Sequence, residues 1–71
     1  MNADILKGKW KQVRGEMKQW WGNLTDDDLE QIDGHKDKLI GKVQERYGYE
    51  RERAEKEVNH RLEEFEKAMN H

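Results

Sequence analysis

The sequence contains no cysteine, no proline and no serine. Without cysteine there is no disulfide and no thiolate ligand for a metal ion. The only side-chain hydroxyl groups belong to Thr25, Tyr47 and Tyr49, so the usual serine and cysteine nucleophiles are excluded. We therefore expect a protein that is not an enzyme, with no catalytic residues, no metal and no cofactor.

Long apolar runs are also absent. A helix needs about 20 predominantly apolar residues to cross a bilayer, and no stretch of this chain approaches that length. The first four residues lack the basic and then apolar pattern with which a signal peptide begins. These observations predict a cytoplasmic protein without a membrane partner.

Charged residues are abundant, but their signs are balanced. They make up 42% of the chain, the mean hydropathy is -1.42, and the formal net charge is only -2. Mixed charge on a helical pattern is typical of a solvated helix surface. A length of 71 residues allows one small domain, which we assign to residues 1–71.

Apolar residues recur at intervals of three or four, the spacing of one face of an α-helix. The pattern predicts an all-α fold with four helices, at about 4–21, 26–33, 35–47 and 50–68. The expected core consists of Leu6, Trp10, Val13, Met17, Trp21, Leu24, Leu29, Ile32, Leu39, Ile40, Val43, Tyr47, Val58, Leu62 and Phe65.

The glycines obey a single offset of 26 residues, which pairs Gly8 with Gly34, Gly15 with Gly41, and Gly22 with Gly48. Several apolar positions follow the same offset. An internal duplication of a helix-turn-helix unit explains this pattern, and coincidence among few residues is the alternative. We favour the duplication, because all six glycines take part.

The glycines predict two kinds of backbone feature. Gly22, Gly34 and Gly48 each follow a helical pattern, so they suit the left-handed position that ends a helix. Gly15 and Gly41 lie inside helical patterns, where glycine usually permits the close approach of another backbone. We therefore expect the first and third predicted helices to cross near these two residues.

Three consecutive aspartates, Asp26, Asp27 and Asp28, follow Thr25. Consecutive helical positions point about 100° apart, whereas calcium loops alternate their ligands so that the oxygens converge. Thr25 with Asp28 instead matches a capping box, in which each side chain accepts the other's backbone N–H. We interpret the aspartates as the start of a helix.

Two further groups of residues carry alternative interpretations. His60 and Glu64 share the four-residue spacing of metal ligands, but a surface ion pair is the favoured interpretation. A basic group on the first and third predicted helices could bind nucleic acid beside Trp20. The favoured alternative is that these residues form a solvated face whose charge is balanced by nearby acids. That group comprises Lys7, Lys11, Arg14, Lys18, Lys38, Lys42 and Arg46.

Trp20 has two interpretations of equal weight. An exposed tryptophan can mark a contact site, or it can cover the end of a small core, since tryptophan is rarely fully buried. The offset pairs Trp20 with Arg46, a surface residue type, and Trp21 with Tyr47. We expect Trp21 in the core and Trp20 at least partly exposed.

Four segments resemble those of the CsbD-like family of small bacterial stress-response proteins. They read WKQxxG at 10–15, WGxLTDDD at 21–28, GKxQERYGY at 41–49 and AEKEV at 54–58. The resemblance covers residues 5–58. It implies two helical hairpins packed roughly orthogonally, as in a SAM-domain-like fold, and a cytosolic protein that is abundant under general stress. The family has no established catalytic residues to carry over.

The resemblance also links the chain to hydrophilins, which are glycine-rich, hydrophilic proteins associated with water stress. We expect a non-enzymatic stress-response protein, a hydrophilin-like protectant that is a monomer with no known partner. The alternative is a small helical binding module for nucleic acid or a protein partner, formed by the basic faces of the first and third predicted helices.

Overall fold

The computed structural model describes residues 3–69, and the side chains of residues 6–69. Every regular element in this part of the chain is an α-helix, which confirms the all-α prediction. The helices are α1 (Ala3–Gly8), α2 (Trp10–Trp20), α3 (Asp26–Ile32), α4 (Lys36–Tyr47) and α5 (Arg51–Met69). None of the described helices is long and apolar enough to cross a membrane.

The first predicted helix is interrupted, so the described part of the chain has five helices rather than four. Lys9 leaves the helical conformation, with φ -114° and ψ 23°. Its carbonyl oxygen accepts hydrogen bonds from the backbone N–H groups of Gln12 (3.0 Å) and Val13 (2.9 Å), which starts a second helix. Gly8, which directly precedes the break, has a low helix propensity.

The turn between α3 and α4 lies against this break. Its central residue, Gly34, is buried and has φ +81°, and a Cβ atom added there would lie 3.3 Å from the Cα atom of Lys7. Only glycine combines a left-handed backbone with so close a neighbour. The α3–α4 turn therefore approaches the backbone of α1 closely at Gly34.

The predicted crossing at Gly15 and Gly41 is wrong. Both residues are exposed, and a Cβ atom added at either would meet nothing within 4 Å. The left-handed prediction holds for Gly34 and Gly48 but not for Gly22, because the cap of α2 is Trp21, with φ -130°, and Gly22 has no positive φ. Two of the three glycine pairs, Gly8 with Gly34 and Gly22 with Gly48, thus differ in backbone conformation.

The core agrees with the expected set except at three positions. Trp10 and Tyr47 are only partly buried, and Ala54 is buried although it was not expected in the core. Trp10 lies beside the interruption of the first helix. The Tyr47 hydroxyl accepts a hydrogen bond from the Asn23 N–H at 3.2 Å, which keeps the phenol at the edge of the core.

The central helix of the packing is α4, which contacts both α3 and α5. The buried side chains are Leu6, Val13, Met17, Trp21, Leu24, Leu29, Ile32, Leu39, Ile40, Val43, Ala54, Val58, Leu62 and Phe65. The finer description of the fold, as two orthogonal hairpins of SAM-domain-like type related by a pseudo-repeat, stays a prediction.

The contrast between Gly34 and Gly41 predicts opposite effects of alanine. Gly34→Ala should lower the free energy of unfolding by at least about 1 kcal/mol, because alanine is strained at positive φ. Gly41→Ala should raise it by about 0.5–1 kcal/mol, because alanine is the better helix former and the site is open. Urea unfolding followed by circular dichroism measures both effects. Equal effects of the two substitutions would contradict the close approach at Gly34.

Candidate binding surface

The residues of the predicted basic surface lie on three helices. Lys7 is in α1, and Lys38, Lys42 and Arg46 are in α4, while α2 carries Lys11, Arg14, Lys18 and Trp20. Of these side chains, Arg14, Trp20 and Lys42 are partly buried and the others are exposed. Their surroundings are set largely by the acidic start of α3.

The aspartate run begins α3 as predicted. Thr25 has an extended backbone, and its hydroxyl accepts a hydrogen bond from the Asp28 N–H at 3.1 Å. The Asp28 carboxylate accepts one from the Thr25 N–H at 3.0 Å. This reciprocal pair is a capping box, which satisfies two of the N–H groups that a helix leaves without partners. The structural interpretation of the three aspartates is confirmed.

Asp28 has a second role that the sequence analysis missed. The residue is only 1% exposed, and its side chain accepts two hydrogen bonds from Arg46, from Nε at 2.8 Å and from Nη2 at 2.9 Å. The Lys42 ammonium lies 3.5 Å from the same carboxylate. A signal was available, because Asp28 and Ile32 share a helix face, and an aspartate on an apolar face needs a cationic partner.

Arg46 sets the protonation of this carboxylate. Its hydrogen bonds hold the pKa of Asp28 far below the ordinary value, and the Thr25 N–H adds to this effect. Burial opposes the shift, because it disfavours the charged form. Asp28 is therefore ionised at neutral pH, and it joins the start of α3 to the last turn of α4.

A further ion pair links α2 to α3. The Lys18 ammonium contacts the Asp26 carboxylate, and this hydrogen bond lowers the pKa of Asp26. Three of the seven predicted surface cations, Lys18, Lys42 and Arg46, thus pair with acids of α3. The positive potential of the α2 and α4 faces is reduced locally by these acids.

Trp20 packs over one end of the core. Its ring makes edge-to-face contacts with Trp21, at 5.7 Å between centroids, and with Phe65, at 6.3 Å. This T-shaped geometry is favoured by the quadrupoles of the rings. Trp20 is partly buried, as expected, and Trp21 is in the core. The packing favours the interpretation of Trp20 as a cover for the core.

The metal hypothesis for His60 and Glu64 has little geometric basis. Among the residues that the structure describes, no three or more histidine, cysteine or acidic side chains are grouped so that they could hold a metal ion. A pair on an exposed helix face supplies too few ligands for a structural zinc site.

Residues 4–56 match the model of a protein family described as CsbD-like. The chain belongs to the CsbD-like family. It is 62% identical over 58 residues to a UPF0337 protein of Pseudomonas aeruginosa, a match that spans 82% of this chain and 89% of the relative. It is 57% identical over 58 residues to the UPF0337 protein YjbJ of Escherichia coli K12, which spans 82% and 84%. The resemblance to this family is thereby confirmed.

A third relative extends the match slightly. A UPF0337 protein of Pectobacterium atrosepticum is 60% identical over 60 residues, which are 84% of this chain and 87% of the relative. These names state no reaction, ligand or partner. The function of this CsbD-like chain must therefore be argued from its own surface.

The buried carboxylate predicts a pH-dependent effect of Asp28→Asn in this CsbD-like chain. At pH 7 the substitution should lower the free energy of unfolding by about 2 kcal/mol, because the amide loses charge-assisted hydrogen bonds. Folding lowers the pKa of Asp28, so this stabilisation is present above the unfolded pKa of about 4 and is lost as the pH falls. The difference from wild type should shrink steadily from about pH 4 to pH 2.

Asp27→Asn is the matched control, because Asp27 is exposed in the same helical turn. It should cost less than about 1 kcal/mol, since it loses only the interaction with the helix dipole. Urea unfolding across the pH range measures both variants. A difference between Asp28→Asn and wild type that did not change with pH would contradict the role of the ionised carboxylate.

Proposed function

We propose that this CsbD-like protein is a non-enzymatic stress-response protein that acts in the cytoplasm as a monomeric protectant. It would act by abundance, through a hydrated surface of mixed charge that keeps other proteins apart when water is scarce. The observation that supports this proposal is that nearly all charged side chains lie at the surface and not in the core. Asp28 is the only charged or polar side chain buried among the residues whose burial is described.

The surface of α5 shows how these exposed charges are arranged. Arg51 lies 3.5 Å from Glu55, and Lys56 lies 3.5 Å from Glu52. Exposed pairs of this kind contribute little to stability. Their ionic groups remain in water and are strongly hydrated, because removing water from a charged group costs much free energy. A surface of such groups supports a protectant role.

A folded core distinguishes this proposal from that of a disordered hydrophilin. The apolar side chains are sequestered in one cluster, so the protein offers other proteins few apolar sites on which to aggregate. The balance of charge, with a net charge of -2, limits electrostatic attraction to any single class of molecule. Together these properties favour a weakly interacting, strongly hydrated protein.

Protection of a labile enzyme during drying or freezing tests this proposal. At equal mass the protein should preserve more enzyme activity than albumin does. The variant Arg51→Gln, Glu52→Gln, Glu55→Gln, Lys56→Gln removes two charges of each sign, so its net charge is unchanged. It should protect less than wild type, because hydrated ionic groups are lost.

Two results would sink the protectant proposal. One is protection no greater than that given by albumin. The other is equal protection by wild type and by the fourfold variant, once circular dichroism has shown that both are helical.

A further inference from the structure

An open groove of about 530 Å³ lies at the interruption between α1 and α2. We call it the Trp10 groove. It is lined by residues 7–12 and, from the α3–α4 turn, by Asp33 and His35. It lies outside the part of the surface that the acids of α3 neutralise.

The interruption at Lys9 creates this groove. Consecutive residues of a continuous helix point about 100° apart, so six successive side chains would surround the helix rather than line one depression. Because Lys9 is not helical, residues 7–12 all border the same groove. Three of these residues are the lysines Lys7, Lys9 and Lys11.

The groove is positively charged in a protein whose net charge is negative. Three lysines face one acid, Asp33, while His35 is neutral in the formal count at pH 7. Among the residues with described side chains, no carboxylate lies within 4.0 Å of any of these three ammonium groups. In this part of the chain they thus differ from Lys18, Lys42 and Arg46, which pair with acids of α3.

Trp10 adds an aromatic surface to this charge. The side chain is partly buried, packs against the core and also lines the groove. Aromatic side chains beside cationic groups are the usual means of binding single-stranded nucleic acid, because a base stacks on the ring while cations contact phosphates. Stacking of this kind tolerates any base sequence, since every base has a π face.

We propose that the Trp10 groove binds single-stranded nucleic acid, with the phosphodiester groups at Lys7, Lys9 and Lys11 and a base stacked on Trp10. A duplex supplies phosphates but no unpaired base, and an acidic peptide supplies charge but no base. Single-stranded nucleic acid therefore matches both the charge and the aromatic residue. This site is distinct from the hypothetical surface beside Trp20, and it does not depend on the protectant function.

Titration of ¹⁵N-labelled protein with an oligothymidylate of about ten nucleotides, within the usual range of site sizes, tests the proposal. The Trp10 indole N–H and the amides of residues 7–12 should shift, while the Trp20 indole serves as an internal reference. The logarithm of the affinity should fall with the logarithm of the salt concentration with a slope of about -2, as expected for three phosphate contacts.

Three ligand controls separate stacking from charge. An abasic oligomer of the same length keeps the phosphates and should bind about tenfold more weakly, because it offers nothing to stack. Polyglutamate and duplex DNA of equal charge should bind more weakly than the oligothymidylate as well.

Matched variants locate the site on the protein. Lys7→Gln, Lys9→Gln, Lys11→Gln should lower the affinity at least about tenfold and flatten the salt dependence. Arg51→Gln, Lys56→Gln, Lys67→Gln removes the same charge from exposed positions of α5 and should lower the affinity less than about threefold, through the general field alone. Circular dichroism confirms that each variant is folded.

Several outcomes would overturn the proposal. One is that the oligothymidylate causes no shift at low salt. Another is that it shifts the Trp20 indole signal instead of the Trp10 signal. A third is that the two triple variants lose affinity equally. Binding of polyglutamate or duplex DNA as tight as that of the oligothymidylate would likewise overturn it.

Discussion

The buried carboxylate of Asp28 is the interaction on which the rest of the structure depends. It accepts hydrogen bonds from the Thr25 N–H and from two nitrogen atoms of Arg46. The same group therefore caps α3 and ties it to the last turn of α4, which in turn packs against α5. A buried charge is tolerable only when it is paired and hydrogen-bonded, so this geometry constrains both helices together.

The acids of α3 also decide which cations remain available. Lys42 and Arg46 are drawn to Asp28, and Lys18 is drawn to Asp26. The lysines around the α1–α2 break lie apart from these acids and border a groove with Trp10. The basic residues that the sequence suggests as one surface thus fall into two regions. One is partly neutralised by ion pairs, and the other is a separate cationic groove. Trp10 borders this groove, whereas Trp20 covers one end of the core.

Local features were predictable because they depend on neighbouring residues. The capping box at Thr25 and Asp28, and the helical spacing of the buried side chains, both follow from separations of three or four positions. The break at Lys9 and the burial of Gly34 were not predictable in this way. The burial of Gly34 depends on the approach of two segments that are far apart in sequence, because a Cβ atom added at Gly34 would lie 3.3 Å from the Cα atom of Lys7. For the same reason the glycine pattern indicated a close approach but assigned it to the wrong glycines.

By itself the sequence determined the helical class, the start of α3 and most of the apolar core, since helix periodicity and capping act within one or two turns. It also identified family membership through motifs spread over most of the chain. Only the tertiary structure decided which cations are paired, which glycine permits close contact and where lysines and a tryptophan share a groove. Those properties depend on distances between helices, which pairing and packing set and which local spacing does not encode.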